Sequence, residues 1–403
     1  MSDALRQSLV THFDQAIDWL HRMVDINSFT SNPAGVNAVG ALTAECFHDL
    51  GFIAEQVPSD HPDFGHHLFL TRPQPGGPRI VLVTHLDTVF PAEEEQRNDF
   101  HWQPALEEGR IYGPGTVDIK GGTALIWLML KAMRDVMPDV FHRIDWLIAA
   151  NASEEVMATD FARFTADRCP AGAAAVLVFE GGPVINGEYH LVTARKGRAE
   201  YRLTAHGKGA HAGSAHDQGV NAIIDLAPII QAASGLTDHA REVTVNIGHI
   251  SGGTVLNRVP HHAAMELEMR AYDPALLQQT GAALHALARD ASAGCSAIEV
   301  ECLGLSPSWP DDERTSGLAR YWQEAGTELT LPTKLVKRGG LSDANYLCGI
   351  GPTLDGLGPA GANAHCSERT TDGSKVPEYV ETTSFVPKAM LNITAIRRLV
   401  EAL

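Results

Sequence analysis

The stretch VLVTHLD at positions 81–87 is an apolar, β-branched run that ends in a histidine and a carboxylate. Such a run is typical of a strand buried on both faces, as in a parallel sheet. Because side chains alternate along an extended chain, His85 and Asp87 point to the same side. A neutral imidazole binds zinc well when an acceptor holds its second nitrogen, and Asp87 is a candidate for that acceptor. We therefore predict a metal ligand, His85, at the carboxyl end of a buried strand.

Further acids and histidines follow other strand-like runs or glycine-rich turns. They are Asp118 in GPGTVDIKGG (113–122), Glu154 and Glu155 after the run 144–150, Glu180 after the run 174–179, and His365 in GANAH (361–365). A lone histidine is more often a core residue, and a lone glutamate is more often a solvated charge. Ligands of parallel sheets collect at the carboxyl ends of the strands, however, and several of these residues follow strand-like runs. Their number and order therefore indicate one common site.

The predicted ligands suffice for two metal ions. Two neighbouring zinc ions need one bridging carboxylate and two further ligands each. The candidates satisfy that count as one pair for each ion and one shared carboxylate: His85 with Glu180, Glu155 with His365, and Asp118. Glu154 lies beside the ligands without being needed as one, which is the position expected of a general base. We predict two zinc ions per chain, which cobalt or manganese can replace.

Composition excludes several classes of partner. The chain has 403 residues, 44% of them hydrophobic, which is enough for two domains. Its 49 acidic and 31 basic residues give a net charge of −18, which argues against binding to nucleic acid or to an anionic membrane. No stretch approaches the roughly 20 apolar residues of a membrane span. The N-terminal residues show the apolar spacing of an amphipathic packing helix rather than a signal sequence.

The cysteines indicate neither a disulfide framework nor a thiolate metal site. They form no CxxC pair and have no regular spacing, so we expect reduced thiols and a cytoplasmic protein. The six positions are Cys46, Cys169, Cys295, Cys302, Cys348 and Cys366.

The order of predicted elements indicates an α/β chain with an inserted domain. Apolar runs near positions 80, 146 and 176 alternate with helix-like stretches, which is typical of a mainly parallel sheet. From about 194 to 307 the order changes to β-α-β-β-α-β, that of a ferredoxin-like unit, and this part contains none of the predicted metal ligands. We predict a catalytic domain in two parts, 1–193 and 310–403, with an α+β domain at 194–309 between them.

The chain resembles the di-zinc aminoacylase and glutamate carboxypeptidase family, in particular its carboxypeptidase G type. The matching segments extend over nearly the whole chain: His85–Asp87, Gly113–Gly122, Ser153–Glu155, Gly207–Ala222 and Asp355–His365. The resemblance implies a zinc-exopeptidase catalytic domain and an inserted domain that serves as lid and dimerisation domain. It therefore also implies a homodimer.

The resemblance also implies roles for residues of the inserted domain. The histidine that matches His211 donates to the developing oxyanion, often in the partner subunit's catalytic centre. Asn257 and Arg270 match residues that hold a substrate carboxylate, for which a guanidinium fork is well suited. The turn 339–344, which includes Gly340, is predicted to bind an anion through backbone amides.

These predictions together describe a hydrolase that cleaves an amide bond next to a free carboxylate, as a glutamate carboxypeptidase does when it releases a C-terminal amino acid. The substrate would be a small peptide or an N-acyl amino acid. One alternative is an N-acyl-amino-acid deacylase, which needs the same metal centre. Another is a catalytically silent relative that binds an amino-acid-like ligand, although this chain keeps every ligand and the base. A serine hydrolase is disfavoured because the chain has no GxSxG motif.

Overall fold

The computed structural model describes residues 2–292 and 296–403 and divides into two units. The first unit consists of Met1–Thr193, Asp312–Lys337 and Ser342–Leu403, and the second of Ala194–Asp311 and Arg338–Leu341. The second unit thus includes a short segment that follows the predicted inserted domain by almost thirty residues.

Helices and strands alternate along most of the chain, through both units. The helices are, in chain order, α1 (Ser2–Val24), α2 (Pro33–His48), α3 (Ala92–Arg97), α4 (Lys120–Val136), α5 (Pro138–Arg143), α6 (Asp160–Asp167), α7 (Ala222–Ser234), α8 (Pro274–Ser292), α9 (Glu313–Leu329), α10 (Asp343–Leu347) and α11 (Phe385–Ala402). The strands are β1 (Ile53–Pro58), β2 (His66–Arg72), β3 (Arg79–His85), β4 (Gln103–Ala105), β5 (Arg110–Tyr112), β6 (Asp145–Asn151), β7 (Ala175–Val178), β8 (Val184–Ile185), β9 (Glu188–Arg195), β10 (Gly197–His206), β11 (Thr244–Gly252), β12 (His262–Ala271), β13 (Ala297–Ser306), β14 (Thr333–Arg338), β15 (Thr353–Leu354), β16 (Gly361–Ala362) and β17 (Tyr379–Glu381).

The main sheet of the first unit has the strand order β1-β2-β6-β3-β7-β15. Strands β6, β3, β7 and β15 run parallel, whereas β1 and β2 pair antiparallel at one edge. The predicted strand that ends at His85 is β3, and Ile80, Val81, Leu82 and Val83 in it have no exposed surface. Burying each such aliphatic side chain contributes roughly 1.5–3 kcal/mol. The prediction of a mainly parallel α/β fold is confirmed.

Helices cover this sheet and form one apolar core with it. Helix α4 packs against α1 and α11, and α11 also packs against α9. The N-terminal helix is amphipathic, as its apolar spacing predicts, with Leu5, Leu9 and Leu20 buried. Helix α4 is buried around almost its whole circumference because helices and the sheet surround it.

Two smaller sheets complete the first unit. The order β16-β17-β5-β4 describes an antiparallel sheet, in which β17 pairs with both β16 and β5. The other has the order β14-β9-β8. Because β16 ends three residues before His365, the first of these sheets brings that late segment back to the unit formed by the start of the chain.

The second unit has one four-stranded antiparallel sheet with the order β11-β12-β10-β13. With α7 and α8, its elements follow in the order β-α-β-β-α-β, which confirms the predicted ferredoxin-like arrangement. Both helices pack against the sheet, where Leu203, Met265, Leu226 and Leu284 are buried. This unit therefore has a hydrophobic core of its own.

Two further expectations from the sequence concern the cysteines and the absence of a membrane-spanning helix. Within residues 2–292 and 296–403, every cysteine is a free thiol, and Cys295 lies outside these described ranges. No helix in the described part of the chain combines the length and the apolar character needed to cross a membrane.

Candidate metal centre

Three adjacent parallel strands supply most of the centre. His85 is the last residue of β3, Glu154 and Glu155 follow β6 in a short 3-10 turn, and Glu180 lies two residues after β7. Strand β3 pairs with both neighbours. The ends of parallel strands meet at one edge of a sheet, so these four side chains reach the same place from three segments.

Asp118 and His365 come from loops instead. Asp118 lies just before α4, and the backbone N–H groups of Val117 and Asp118 both donate to Glu378 Oε1, at 2.8 and 3.1 Å. His365 follows β16 with a φ of 66°, a left-handed conformation that costs a residue other than glycine about 1 kcal/mol or more. Neither position follows from a strand pattern, because each is fixed by contacts with distant parts of the chain.

Asp118 lies between two groups of ligand atoms. His85 Nε2 is 3.0 Å from Asp118 Oδ1 and 3.9 Å from Glu180 Oε1. His365 Nε2 is 3.2 Å from Asp118 Oδ2 and 3.2 Å from Glu155 Oε2. The structure therefore brings the five predicted ligands together as two groups that share the Asp118 carboxylate.

The electrostatics of this cluster favour positive charge. Burial alone would raise the pKa of Asp118, but hydrogen bonds with His365 and His85 outweigh it and hold that pKa well below its usual range. Hydrogen bonds to Asp118 and Glu155 raise the pKa of His365 to about 10. Burial opposes a charged His85, yet hydrogen bonds with Asp118 and Asp87 raise its pKa well above the ordinary value. Each imidazole thus lies beside a carboxylate that favours its charged form.

The donor set fits a pair of divalent cations. Imidazole nitrogen and carboxylate oxygen are ligands of zinc and of related metal ions. One ligand atom from each of His85, Asp118 and Glu155 lies within 4.8 Å of the others. With both imidazoles neutral, the three carboxylates of the cluster carry three negative charges, which two divalent cations would offset. The cluster is therefore a candidate dinuclear metal site.

Glu154 lies next to these ligands in the chain but, among the residues that the structure describes, does not share their ion pairs. Its side chain is buried, and burial raises its pKa well above the usual range, opposed by the charge of His85 and reinforced by Glu180. Within residues 2–292 and 296–403, the ion pairs that join the predicted ligands do not include Glu154. A buried carboxyl group with a raised pKa beside possible metal ligands is a candidate general base.

Asp87 has a broader set of contacts than its predicted role requires. His85 Nδ1 lies 3.0 Å from the backbone carbonyl oxygen of Asp87 and 3.4 Å from its carboxylate Oδ1. The carboxylate accepts from the backbone N–H groups of Glu154 at 3.1 Å and Glu155 at 3.2 Å, and from the Thr30 hydroxyl at 2.7 Å. Asp87 therefore orients His85 mainly through its carbonyl group, while its carboxylate holds the turn that carries Glu154 and Glu155.

Glu378 is a buried residue of this site that the sequence reasoning missed. Burial and the neighbouring charge of Asp118 raise its pKa to about 8, although the amides of Val117 and Asp118 oppose the shift. Among the described residues, its second oxygen, Oε2, has no hydrogen-bond partner. No sequence signal connects position 378 with position 118, because 260 residues separate the two positions.

His211, predicted to be catalytic, and the predicted substrate-binding residues Asn257, Arg270 and Gly340 belong to the second unit. His211 is exposed, and its Nδ1 accepts from the N–H groups of Gly213 and Ser214, so that its proton lies on Nε2. Asn257 is also exposed, and its backbone carbonyl accepts from the N–H group of Ala212. One loop contact thus joins the segments of His211 and Asn257.

Arg270 and the glycine turn contact each other. Arg270 donates from Nε and Nη2 to the Glu268 carboxylate, each at 3.0 Å, and from Nη1 to the carbonyl of Gly339 at 2.9 Å. Arg195 Nη1 donates to the carbonyls of Gly340 and Leu341. The turn was predicted to offer its amides, and here its carbonyl oxygens are oriented towards two arginines. Beyond its three contacts, the Arg270 guanidinium has two more N–H groups.

Comparisons with known proteins agree with this fold. A family model described as the peptidase dimerisation domain matches residues 193–294. Carboxypeptidase G2 of Pseudomonas sp. (strain RS-16) is 25% identical over 393 residues, which cover 96% of this chain and 90% of that protein.

Solved structures show the same fold. Aminopeptidase PepT from Bacillus cereus aligns with a TM-score of 0.77 and 22% identity, covering 96% of this chain and 98% of that one. The YXEP protein of Bacillus subtilis, a dinuclear metal-binding peptidase of the M20 family, aligns with a TM-score of 0.71 and 14% identity, covering 98% and 99%.

The fold and the site together define a metal-dependent peptidase or amidohydrolase. The match to a peptidase dimerisation domain and the similarity to carboxypeptidase G2 confirm the resemblance that the motifs predicted.

Proposed function

We propose that this protein is a zinc-dependent hydrolase that cleaves an amide bond next to a free carboxylate and releases a C-terminal amino acid. The observation that carries the proposal is the Asp118 carboxylate, whose two oxygens contact different histidines, each beside a further glutamate. Support also comes from the full-length similarity to carboxypeptidase G2.

The residues around the centre divide the chemistry. Two bound zinc ions would polarise the scissile carbonyl and lower the pKa of a water molecule. His85, Glu180, Glu155 and His365 would hold them on the two sides of Asp118. Glu154 takes a proton from the attacking water and passes it to the leaving amine, the two tasks of one positioned carboxyl group. Its backbone N–H is fixed on Asp87, which limits how far the base can move.

We assign two tasks to the second unit. His211 donates from Nε2 to the developing oxyanion, a role supported by the two amides that keep its proton on that nitrogen. Arg270, Asn257 and the turn at Gly340 recognise the substrate carboxylate. For Arg270 this recognition uses the N–H groups that Glu268 and Gly339 leave over.

We further propose a homodimer formed through the second unit. The match to a peptidase dimerisation domain supports it. So do exposed apolar side chains on the edge strand β11 and on α7, where Ile250 is 56% and Ile224 is 64% exposed. An edge strand with uncovered apolar residues readily pairs with another copy.

A substrate panel tests the proposed activity. Zinc-loaded protein is assayed against acyl-glutamates, dipeptides and N-acetyl amino acids, each as the free acid and as its primary amide. The proposal predicts preferred turnover of acids whose C-terminal residue is released. Preference set only by the acyl group would indicate the N-acyl-amino-acid deacylase. Binding of these ligands with no turnover, in protein shown to hold two metal ions, would indicate the silent relative.

A further inference from the structure

Four consecutive backbone N–H groups in the turn that carries Glu154 and Glu155 donate to side chains rather than to other backbone groups. Ser153 donates to Asn151 Oδ1 at 3.0 Å, and Glu154 and Glu155 donate to the two oxygens of Asp87. The fourth donor, Ala152, reaches a residue outside the site described above: its N–H group donates to Nδ1 of His67 at 3.1 Å.

His67 occupies a place where the strand ladder ends. Its neighbour Leu68 on β2 pairs with Ala150 on β6, one of the last residues of that strand. Just after β6 ends, the His67 side chain accepts the hydrogen bond from Ala152. His67 has no exposed surface, and its ring packs against Phe161 and Phe164 at centroid distances of 5.4 and 5.8 Å.

The acceptor role of His67 depends on Asp160. A ring nitrogen that accepts a hydrogen bond carries no proton, so a neutral His67 has its proton on Nε2. That nitrogen lies 3.1 Å from Asp160 Oδ2, which also accepts from the Ser59 hydroxyl and the Asp60 N–H group. A carboxylate held by several donors fixes the tautomer that leaves Nδ1 free to accept.

We propose that His67, with its tautomer fixed by Asp160, is a positioning residue for the general base Glu154 and its neighbour Glu155. This inference rests on the proposed function. His67 does not touch the reacting atoms; it holds the first amide of a turn whose last two residues take part in catalysis and metal binding. Small displacements of a positioned group lower turnover strongly, because the productive geometry is narrow.

Two replacements of His67 separate the acceptor from the packing. In His67→Phe the ring still fills the space beside Phe161, but Ala152 loses its acceptor. In His67→Asn the side-chain oxygen can take the place of Nδ1, while the link to Asp160 is lost. We expect kcat to fall roughly tenfold in His67→Phe at saturating zinc, with KM nearly unchanged, and to stay within about threefold of the wild type in His67→Asn.

The matched control is Phe161→Leu, which loosens the packing around the same ring without removing an acceptor. We expect it to lower the melting temperature about as much as His67→Phe does, with kcat unchanged. If kcat falls equally in these two variants, or equally in His67→Phe and His67→Asn, His67 serves the fold alone and the inference is overturned.

Amide hydrogen exchange on metal-free protein tests the same inference without turnover. His67→Phe should accelerate exchange at Ala152 and also at Ser153, Glu154 and Glu155, whose own acceptors remain. His67→Asn and Phe161→Leu should leave these amides protected. Faster exchange confined to Ala152 would overturn the inference. If the wild type hydrolyses nothing in the substrate panel, the proposed function fails, and the exchange result still decides whether His67 holds the turn.

Discussion

The candidate metal centre of the first unit and the residues of the second unit that we propose to contact the substrate are positioned by different kinds of structure. At the centre, β6, β3 and β7 end side by side and bring His85, Glu155 and Glu180 to one edge of the sheet. In the second unit, His211 and Asn257 are exposed on loops, and Arg270 is already paired with Glu268. A strand order can place side chains together without help from a ligand, whereas exposed loop residues are placed by what they bind. The first group should therefore tolerate change least.

The largest expected effect lies within the centre and distinguishes two adjacent glutamates. Glu154→Gln keeps the size of the side chain and removes the base, so kcat should fall roughly 10²–10⁴-fold while both metal ions remain bound. Glu155→Gln should instead lower the metal content, because it weakens a ligand. Elemental analysis of desalted protein and steady-state kinetics measure both. Metal loss in Glu154→Gln, or normal turnover, would assign the base to another residue.

A second effect tests how far the centre depends on the buried carboxyl group behind Asp118. Glu378→Leu removes the acceptor of the Val117 and Asp118 amides, so metal affinity should fall roughly 10–100-fold, the usual cost of losing a group that orients a ligand. Glu378→Gln keeps an oxygen acceptor and serves as the control. Competition with a chromophoric chelator gives both affinities. Equal affinities in the two variants would show that these hydrogen bonds do not support Asp118.

A third prediction tests the role of Arg270 in the second unit. Arg270→Lys replaces a planar fork with a point charge, so kcat/KM for a carboxylate substrate should fall roughly tenfold to a hundredfold. For the primary amide of that substrate, the value should change little. Arg202→Lys is the matched control, since Arg202 lies on the same sheet and also pairs with a glutamate, Glu266. An equal loss in both variants would reduce Arg270 to a structural role.

A smaller effect tests whether the second unit acts on the partner subunit. Mixing equal amounts of His211→Ala and Glu154→Gln subunits should restore roughly a quarter of wild-type activity, because half of the dimers are hybrids and each has one complete site. Light scattering should show dimers, and a tagged subunit should demonstrate exchange. Proven exchange with no recovered activity would place His211 in the site of its own subunit or outside catalysis.

The smallest effect concerns stability and the buried His67. Burial lowers its pKa below the ordinary value near 6.5, although Asp160, Asp87 and Asp60 oppose the shift. Below about pH 6.5 the unfolded chain therefore binds a proton that the folded chain resists, and stability falls by at most about 1.4 kcal/mol per pH unit until the folded pKa is reached. His67→Asn lacks this loss, so its denaturation midpoint should decline less between pH 7 and 5.5. Parallel declines would contradict this.

Several residues and contacts of the candidate site could be predicted from the sequence, and others could not. The carboxyl ends of strand-like runs gave His85, Glu154 and Glu180 because buried strands have a recognisable composition. The pairing of Arg270 with Glu268 could have been found too, since residues two apart on a strand share a face. The contact of Glu378 with Asp118 could not, because it joins segments 260 residues apart and neither segment has a pattern that predicts the other.

The sequence by itself determined most of the elements, their order along the chain and the candidate metal ligands, because composition and periodicity report local burial and chemical type. Only the tertiary structure decided how these residues share their contacts. In the folded chain, Asp118 contacts two histidines, and the Asp87 carboxylate accepts mainly from backbone amides. His67 accepts from the first amide of the turn that carries Glu154. The physical reason is that hydrogen bonds form between groups that meet in space, and packing of distant segments decides which groups meet.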